Sequence, residues 1–358
     1  MICNSAKMGL IPQRDYFDKD IANSDNTSGY YIIEHNDFVY NPRKSSDAPY
    51  GPISRYAYPD AGIVSPLYLC FRAKGDVDTN FFEWYFRSSA WHRYIYMTGD
   101  SGARHDRVSI KDDDFFSMPI CFPSSVEQKK IASFLNTIER RISSQQLLVD
   151  NLKKYKRGLL HEVLCEKIKI TKSPWNVCKI GDYLSSKNIK QLPTPEAPLM
   201  AFTATGGVCD KGERYDRGFL VKDASTKLYK RTDLNDFIYS SNNLDVGSIG
   251  LNLYGSAVIS DVYEIFSISG ADPWFISEAI RQKPVLHQIL KYRQGCLYGQ
   301  YRIYAEDFLE VSIRVPSLET QKQIGIIFSR IDYRIKSEQA LLKSLENAQK
   351  FFLQQLFI

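Results

Sequence analysis

The 358-residue sequence lacks the short motifs that would place a nucleotide or a metal ion. It contains no GxxxxGK(S/T) phosphate loop and no GxGxxG after a strand, and its five histidines have no metal-ligand spacing. It has no basic-then-apolar leader and no apolar run of about 18 residues, so we expect neither export nor membrane insertion. The seven cysteines are scattered without close pairs, which favours a reducing cytoplasm over a disulfide framework or a zinc site.

Two acidic stretches resemble catalytic or metal sites only in isolation. Asp112-Asp113-Asp114 precedes an apolar run, and we interpret it as a helix cap or a turn at the end of a strand. Glu127 stands at the start of a long predicted helix, where a carboxylate interacts favourably with the helix dipole. Asn41-Pro42 is followed by Arg43, without the Pro-aromatic pair expected of an amino-methyltransferase. The sequence therefore predicts no catalytic site and no metal site.

One stretch occurs twice. Residues 123–164 return as residues 316–357 without a gap, and thirteen of the 42 positions are identical. Residues 36–40 and 235–239, which precede the two copies, also match each other at four of five positions. The chain therefore consists of two similar halves, each of which ends in the same element.

The repeated element is predicted to be a long helix with a coiled-coil seam. Apolar residues recur at alternating spacings of three and four, and polar residues interrupt the seam at matching places, Gln145 with Glu338 and Lys156 with Gln349. At about 1.5 Å per residue, such a helix is a rod of roughly 60 Å. The seam residues are Leu135, Ile138, Ile142, Val149, Leu152, Leu159 and Val163, and in the second copy Phe328, Ile331, Ile335, Leu342, Leu345, Phe352 and Leu356.

The net charge of +5 is unevenly distributed. Residues 1–122 carry 13 basic and 16 acidic side chains and residues 175–315 carry 16 of each, so the positive excess lies on the rods and the linker between the halves. A basic surface attracts nucleic acid, but a solvated coiled-coil exterior explains the same pattern. Charge alone does not predict a DNA-binding protein.

The two regions ahead of the rods are predicted to be α+β modules. Strand-like runs at 30–34 and 38–40, a helix at 81–96 and strands at 108–110 and 118–122 are expected in the first module. Strands do not alternate with long helices, which argues against a doubly wound sheet. The predicted organisation is a first module at 1–122, a helix at 123–164, a linker at 165–174, a second module at 175–315 and a second helix at 316–358.

The modules differ at their start. Trp175 lies 62 residues before Phe237, whereas the equivalent Phe38 has only 37 residues ahead of it. The first module therefore lacks a counterpart of roughly the first two dozen residues of the second.

Basic and amide side chains lie near the predicted loops of both modules. Arginine with asparagine or glutamine suits the reading of guanine and adenine edges, and lysine and tyrosine suit phosphates. Each such residue alone is more often a solvated surface group. The candidates are Arg43, Lys44, Arg55, Arg104, His105 and Arg107 in the first module and Lys227, Lys230, Arg231, Arg293, Gln294, Tyr298, Gln300 and Arg302 in the second.

The order of module, long helix, module, long helix resembles the DNA-specificity subunit of type I restriction-modification systems over essentially the whole chain. The specific signature is the stretch from Pro123 to Leu164, with Glu127-Gln128-Lys129-Lys130-Ile131 and the end at 156–160. Residues 9–17 and 37–43 also resemble the target-recognition domains of that family. The second helix departs by having Thr320 where the first has Glu127, and the usual module opening, present at 175–182, has no counterpart before Cys3.

The resemblance implies an α+β fold of two similar target-recognition modules, each followed by a long helix, with the two helices packed antiparallel as a coiled coil. It also implies a non-catalytic cytoplasmic subunit that binds double-stranded DNA at a bipartite site, one half per module, and directs two modification subunits and the restriction subunits to it. S-adenosylmethionine, ATP and magnesium would then belong to those partners, and none to this chain. The alternatives are a coiled-coil adaptor whose modules bind proteins, favoured slightly by the near-neutral modules, and a stand-alone enzyme, for which no motif is present.

Overall fold

A computed structural model of the chain divides into two compact units. Unit 1 comprises residues 1–148 and 338–358, and unit 2 comprises residues 149–337, so each unit contains one module and a part of each long helix. No described helix combines the length and the apolar character needed to cross a membrane. The described residues are 1–16, 27–99, 106–171, 174–204, 207–210, 227–242, 244, 248–297 and 300–357.

The first module is built around strand β4. Its elements are β1 (Ile2–Ser5), β2 (Gly9–Pro12), α1 (Gln13–Tyr16), β3 (Tyr31–Ile33), β4 (Phe38–Tyr40), β5 (Ile53–Arg55), β6 (Gly62–Val64), β7 (Leu69–Phe71), α2 (Thr79–Arg87), α3 (His92–Thr98) and α4 (Asp112–Phe116). Strands β5, β4 and β7 form one antiparallel sheet in that order, β3 pairs with β6, and β1 pairs with β2.

The core of the first module lies between β4 and the helices. Asn36 precedes β4 with a φ of 72°, a left-handed conformation that asparagine tolerates, and the chain then enters the sheet. The Phe38 and Tyr40 rings are almost fully buried. Their centroids lie 5.1 Å from the Phe82 ring of α2 and 5.3 Å from the Phe115 ring of α4, respectively. Burial of these large rings is the main contribution of this region to stability.

Three of the predicted elements of the first module differ in the structure. The helix predicted over 81–96 is two helices, because Ser88 has an extended backbone with ψ of 175° and ends α2. The strands predicted at 108–110 and 118–122 are absent, although both segments are described. In contrast, the runs predicted at 30–34 and 38–40 form β3 and β4.

Unit 2 contains a second module with a longer opening. Its elements are β8 (Asn176–Lys179), a 3-10 turn (Ile180–Asp182), β9 (Leu184–Ser186), β10 (Lys190–Gln191), β11 (Ala201–Thr203), β12 (Gly207–Cys209), β13 (Tyr229–Thr232), β14 (Phe237–Ser240), β15 (Ile249–Leu251), β16 (Ala257–Ile259), β17 (Tyr263–Ile268), α6 (Pro273–Ile280), α7 (Lys283–Ile289), a 3-10 turn (Leu290–Tyr292), β18 (Gln294–Leu297), β19 (Gln300–Arg302), α8 (Ala305–Leu309) and β20 (Ser312–Val315).

The second module repeats the sheet of the first and extends it. Its main sheet has the order β15-β14-β17-β9, in which Phe237 of β14 faces Phe266 of β17 as Phe38 faces Phe71 in the first module. Asn235 has a φ of 67° at the place of Asn36. Among the described residues of the first module, neither β9 nor β8, which pairs with β20, has a counterpart. The sequence difference at the start of the two modules therefore corresponds to specific strands.

The two long helices, α5 (Ser125–Leu164) and α9 (Leu318–Leu356), are antiparallel wherever they meet within a unit. In unit 1 the Phe134 ring lies 4.9 Å from the Phe352 ring, and Gln145 Nε2 donates to Glu338 Oε2 at 2.5 Å. In unit 2, Lys156 Nζ lies 2.9 Å from Asp332 Oδ2. Every predicted seam residue is buried or half-buried except Leu356, which is 36% exposed because the seam ends there.

One repeated glutamine joins each helix to its module. In unit 1, Gln128 Oε1 accepts from the backbone N–H of Asp78 at 3.0 Å, and Gln128 Nε2 donates to the Pro123 carbonyl at 2.9 Å. In unit 2, Gln321 makes the same bonds to Asp272 and Pro316, at 3.0 and 2.9 Å. Asp78 and Asp272 in turn cap α2 and α6. The identity of this residue in the two copies therefore has a structural cause.

The helix starts also explain Glu127 and its replacement. Glu127 Oε2 accepts from the backbone N–H and the hydroxyl of Ser124 at 3.0 and 2.7 Å. These hydrogen bonds from Ser124 lower the pKa of Glu127, as expected for a capping box. In the second copy the Ser317 and Thr320 hydroxyls lie 3.0 Å apart at the same place. Both residues belong to helix starts, as the sequence predicted.

Candidate nucleic-acid interface

The structure brings three of the predicted basic residues of the first module together. Arg43 and Arg107 form an isolated antiparallel bridge, and the Lys44 N–H donates to the Asp106 carbonyl at 2.8 Å. The side chain of Arg43 is 69% exposed, and its Nε lies 3.9 Å from the exposed carboxylate of Asp106, a contact of little energetic weight. We call Arg43, Lys44 and Arg107 the unit 1 basic cluster.

Arg107 has a buried donor. Its Nε is inaccessible to solvent and has no hydrogen-bond partner among the described residues. A buried N–H of a cation without an acceptor is costly, so this donor reduces stability locally. The hydroxyl of Tyr68 is a neighbour: burial raises its pKa, while Arg43 and Arg107 lower it. No sequence signal indicated Tyr68, because it lies far from both arginines along the chain.

Arg55 supports the module and does not face a ligand. Its guanidinium donates to Glu83 Oε2 at 2.8 Å, to Asn36 Oδ1 at 2.8 Å and to Asn80 Oδ1 at 3.0 Å. Only 16% of the side chain is exposed. Three N–H groups of Arg55 are therefore used within the module.

In the second module, two predicted cations share one carboxylate. Lys230 Nζ lies 2.9 Å from Glu264 Oε2 and also donates to the Tyr263 carbonyl, and Arg302 donates to Glu264 Oε1 at 3.0 Å. Lys230 is 9% exposed, whereas Arg302 is 47% exposed and its guanidinium lies 5.0 Å from the centre of the Tyr304 ring. Lys230 therefore belongs to the interior of the module, and Arg302 keeps a surface that a ligand can reach.

Aromatic rings hold further cations of the second module at its surface. The Arg293 guanidinium lies 4.2 Å from the centre of the Tyr301 ring, and Lys227 Nζ lies 5.4 Å from that of Tyr229. Gln294, which pairs with Arg302 across β18 and β19, donates from its exposed amide to Asp307 at 2.7 Å. We call Arg293, Gln294 and Arg302 the unit 2 hairpin cluster.

The remaining predicted residues fall into two groups. Arg231 is held by Asp233, at 3.1 Å, and by Gln191, at 3.2 Å, and is 37% exposed. Arg104, His105 and Tyr298 lie outside the described residues, as does the side chain of Gln300.

Acidic groups in the described part of the chain do not form a metal site. No cluster of three His, Cys, Asp or Glu with the geometry of a metal site occurs there. Asp112, Asp113 and Asp114 form the first turn of α4, which is the helix-end position that the sequence predicted. Their carboxylates therefore have a structural explanation.

A buried ion network supports the start of β14. Lys187 Nζ lies 2.7 Å from both Asp233 Oδ2 and Asp236 Oδ2, and Ser256 donates to Asp233 at 2.7 Å. Burial alone would raise the pKa of Asp233, but hydrogen bonds from Lys187, Arg231 and Ser256 outweigh it and hold this pKa well below its usual range. Asp233 is therefore ionised in the folded state at pH values where the unfolded chain begins to bind a proton.

We expect this network to make unit 2 sensitive to acid. A carboxyl whose pKa is depressed on folding contributes stability above its unfolded pKa of about 3.9 and loses it as the pH falls towards the folded value. The wild type should therefore lose stability between about pH 5 and pH 2 more steeply than Asp233→Asn, in urea unfolding at a series of pH values. Asp261→Asn is the control, since Asp261 forms an exposed pair with Lys190 at 3.7 Å. Equal slopes for Asp233→Asn and the wild type would contradict this role.

Comparisons with known proteins find a family model and solved structures that are similar to this chain. Residues 218–347 match the family model of the type I restriction modification DNA specificity domain. The type I restriction-modification system S subunit from M. genitalium is similar in structure, with a TM-score of 0.55 at 14% identity, over 95% of this chain and 87% of that one. A chain from a structure on complex assembly and conformational transition of the type I R-M system has a TM-score of 0.53 at 16% identity, over 91% of this chain and 82% of that one. No curated protein sequence matches significantly.

The chain therefore has the fold of a type I specificity subunit: two α+β modules, each followed by a long helix. The residues that the family model matches, 218–347, run from within the second module through most of α9. The resemblance drawn from the sequence is thereby confirmed.

Proposed function

We propose that the chain reads a bipartite DNA sequence, with one half-site bound by each module. The observation that carries the proposal is the unit 1 basic cluster, where the exposed Arg43 forms a backbone bridge with Arg107 and Lys44 is adjacent. The unit 2 hairpin cluster offers the corresponding groups, an exposed arginine and an exposed amide on one hairpin. Arginine and glutamine are the side chains that pair with guanine and adenine edges in the major groove.

Binding to duplex DNA tests the proposal. The full chain, with its partner modification subunits where these are needed for solubility, is mixed with a random duplex library, and bound sequences are selected and read. We expect enrichment of two short sequences separated by a fixed spacer, with an affinity that falls as salt rises. Absence of any salt-dependent DNA binding would instead support the adaptor reading.

We further propose that α5 and α9 set the spacer between the half-sites. Both helices run through both units, with 40 and 39 residues. An insertion of seven residues in each helix preserves the seam and adds about 10 Å, which is close to three base pairs of B-DNA.

The lengthened chain should select a spacer about three base pairs longer, because the separation of the half-sites has to match the length that the helices gain. The same selection experiment measures this, with the wild type alongside. A control insertion of seven residues in α5 alone breaks the matching of the two helices and should reduce folding. An unchanged spacer in the doubly lengthened chain would remove the helices from this role.

We propose that other subunits carry out the methyl transfer and the DNA cleavage. The chain would direct two modification subunits and the restriction subunits to the site, and S-adenosylmethionine, ATP and magnesium would be bound there. What supports this is the match of residues 218–347 to the type I DNA specificity domain. With DNA, magnesium and S-adenosylmethionine but no partner, we expect neither cleavage nor methyl transfer.

A further inference from the structure

Within the described residues, the first module leaves one strand edge and one extended segment unpaired, and a single segment covers their equivalents in the second module. In the second module, β8 pairs with β20 and β9 pairs with the outer edge of β17. In the first module, the segment equivalent to β20 is 119–122, which is not a strand, and β7, equivalent to β17, pairs only with β4 within the described residues. Open edges of this kind are templates for strand addition.

The apolar side chains at these edges are exposed in the first module and covered in the second. Phe122 is 45% exposed, whereas its counterpart Val315 is 1% exposed. Phe71 is half-buried, whereas its counterpart Phe266 is completely buried. Phe116 follows the same trend: it is 59% exposed, while its counterpart Leu309 is half-buried. These side chains are therefore more exposed in the module that has no covering segment among its described residues.

The covering segment has a defined chemistry. Trp175 packs its ring 5.7 Å from that of Phe275, Ile180 and Leu184 are buried, and the Ile180 N–H donates to the Val311 carbonyl at 2.9 Å. Gly181 packs closely in the turn between the strands, since a Cβ there would lie 3.2 Å from the Leu309 carbonyl oxygen. The pattern is an aromatic residue, a strand, an Ile-Gly-Asp turn and a buried leucine.

The first module has adapted in part to the lack of this segment. Arg72 pairs with Asp37 and so takes the place of Lys187, which reaches Asp236 from the end of β9. The Phe122 ring lies 5.7 Å from the Phe82 ring, and in the second module the Trp175 ring lies 5.7 Å from that of Phe275, the counterpart of Phe82. The charged contacts are thereby satisfied within the module, and what stays open is apolar and backbone surface.

We propose that these two edges form a docking cleft for a strand-turn-strand segment of another polypeptide, with the chemistry of residues 175–186. The segment would pair one strand with 120–122 and the other with β7, and its apolar residues would cover Phe116 and Phe122. A cation is not required at either end, because Ser117 stands where Glu310 binds Lys179 and Arg72 already neutralises Asp37. This surface is additional to the DNA-binding role proposed above.

The test uses the full chain and a synthetic peptide of residues 174–187 with Cys178→Ser. We expect saturable one-to-one binding by fluorescence anisotropy, and slower amide hydrogen exchange at 120–122 and at β7 by at least about tenfold. Phe116→Asp should weaken binding by at least about tenfold, because it places a charge against the turn of the peptide. Tyr96→Asp, at a 70% exposed aromatic residue of α3, is the matched control and should bind as the wild type does.

A crosslink tests the register. Arg314 faces Val177 in the second module, so Cys121, at the equivalent place, should face position 177 of the peptide. A peptide with an activated thiol in Val177→Cys should therefore label Cys121 faster than one with the thiol at Tyr183→Cys, and the exposed Cys165 serves as the internal reference. The proposal is overturned by lack of saturable binding, by equal binding to the Asp variants at 116 and 96, or by a dimer of the chain in which exchange at 120–122 and β7 is already slowed.

Discussion

Replacement of Lys156 by methionine is expected to destabilise unit 2 by about 3 kcal/mol, because it leaves carboxylates without their cation in the interior. Lys156 Nζ lies 2.7 Å from Glu278 Oε1 and 2.9 Å from Asp332 Oδ2, and the Glu278 side chain is only 5% exposed. Burial raises the pKa of Asp332, against the opposing effect of Lys156. Arg281 lies 3.2 Å from Glu278 and still compensates part of the Glu278 charge, which limits the loss of stability.

Urea unfolding followed by tryptophan fluorescence measures this effect, since Trp274 lies in unit 2 near the Tyr333 ring. Lys154→Met, at an exposed position of α5, is the control and should change stability by less than about 0.5 kcal/mol. The double variant Lys156→Met with Glu278→Gln should recover part of the loss. A change for Lys156→Met no larger than that of the control would show that the carboxylates do not need this cation.

Substitution of Arg43 or Arg107 by alanine is expected to weaken binding of one half-site by about 5- to 100-fold, which corresponds to roughly 1–3 kcal/mol of base discrimination. The half-site bound by the second module should keep its sequence preference. Arg107→Ala also removes a buried unpaired donor, so the free protein should become no less stable while DNA affinity falls.

Competition between specific and random duplexes separates the two kinds of contact. If Arg43→Ala lowers the affinity for both duplexes equally, and reduces the slope of log affinity against log salt concentration by about one, Arg43 contacts phosphate. Lys74→Ala, at an exposed cation of the same unit, is the control and should leave the ratio unchanged. Unaltered specific binding in both Arg43→Ala and Arg107→Ala would remove the unit 1 basic cluster from the interface.

The order of modules and long helices could be predicted, because the sequence shows it as an internal repeat and as a periodic spacing of apolar residues. The seam of α5 and α9 follows from spacings of three and four, and the polar interruption at Gln145 meets its matched residue Glu338. Lys156 does not meet its matched residue Gln349: Lys156 contacts Asp332 and Glu278, and Gln349 donates to Glu139. Glu127 was predicted as a residue of a helix start and accepts two hydrogen bonds from Ser124 there.

Short elements and side-chain partners were less predictable, since they depend on contacts between distant residues. The 118–122 segment has strand composition but no strand beside it, so it stays irregular, whereas its counterpart β20 pairs with β8. Arg55 and Lys230 looked like surface cations, and only the fold brings Asn36, Glu83 and Glu264 to them. Composition cannot distinguish such internal cations from those that face a ligand.

Gln145 and Glu338 occupy the same position of the repeat, and each is the other's partner. At this point each helix contacts the equivalent position of the other, as two identical helices would in a symmetric antiparallel pair. Two copies of the first helix would place amide against amide, whereas two copies of the second would bury carboxylate against carboxylate, with strong repulsion. The pairing of Gln145 with Glu338 is therefore favoured over either like pair. At this position each long helix pairs better with the other helix than with a second copy of itself.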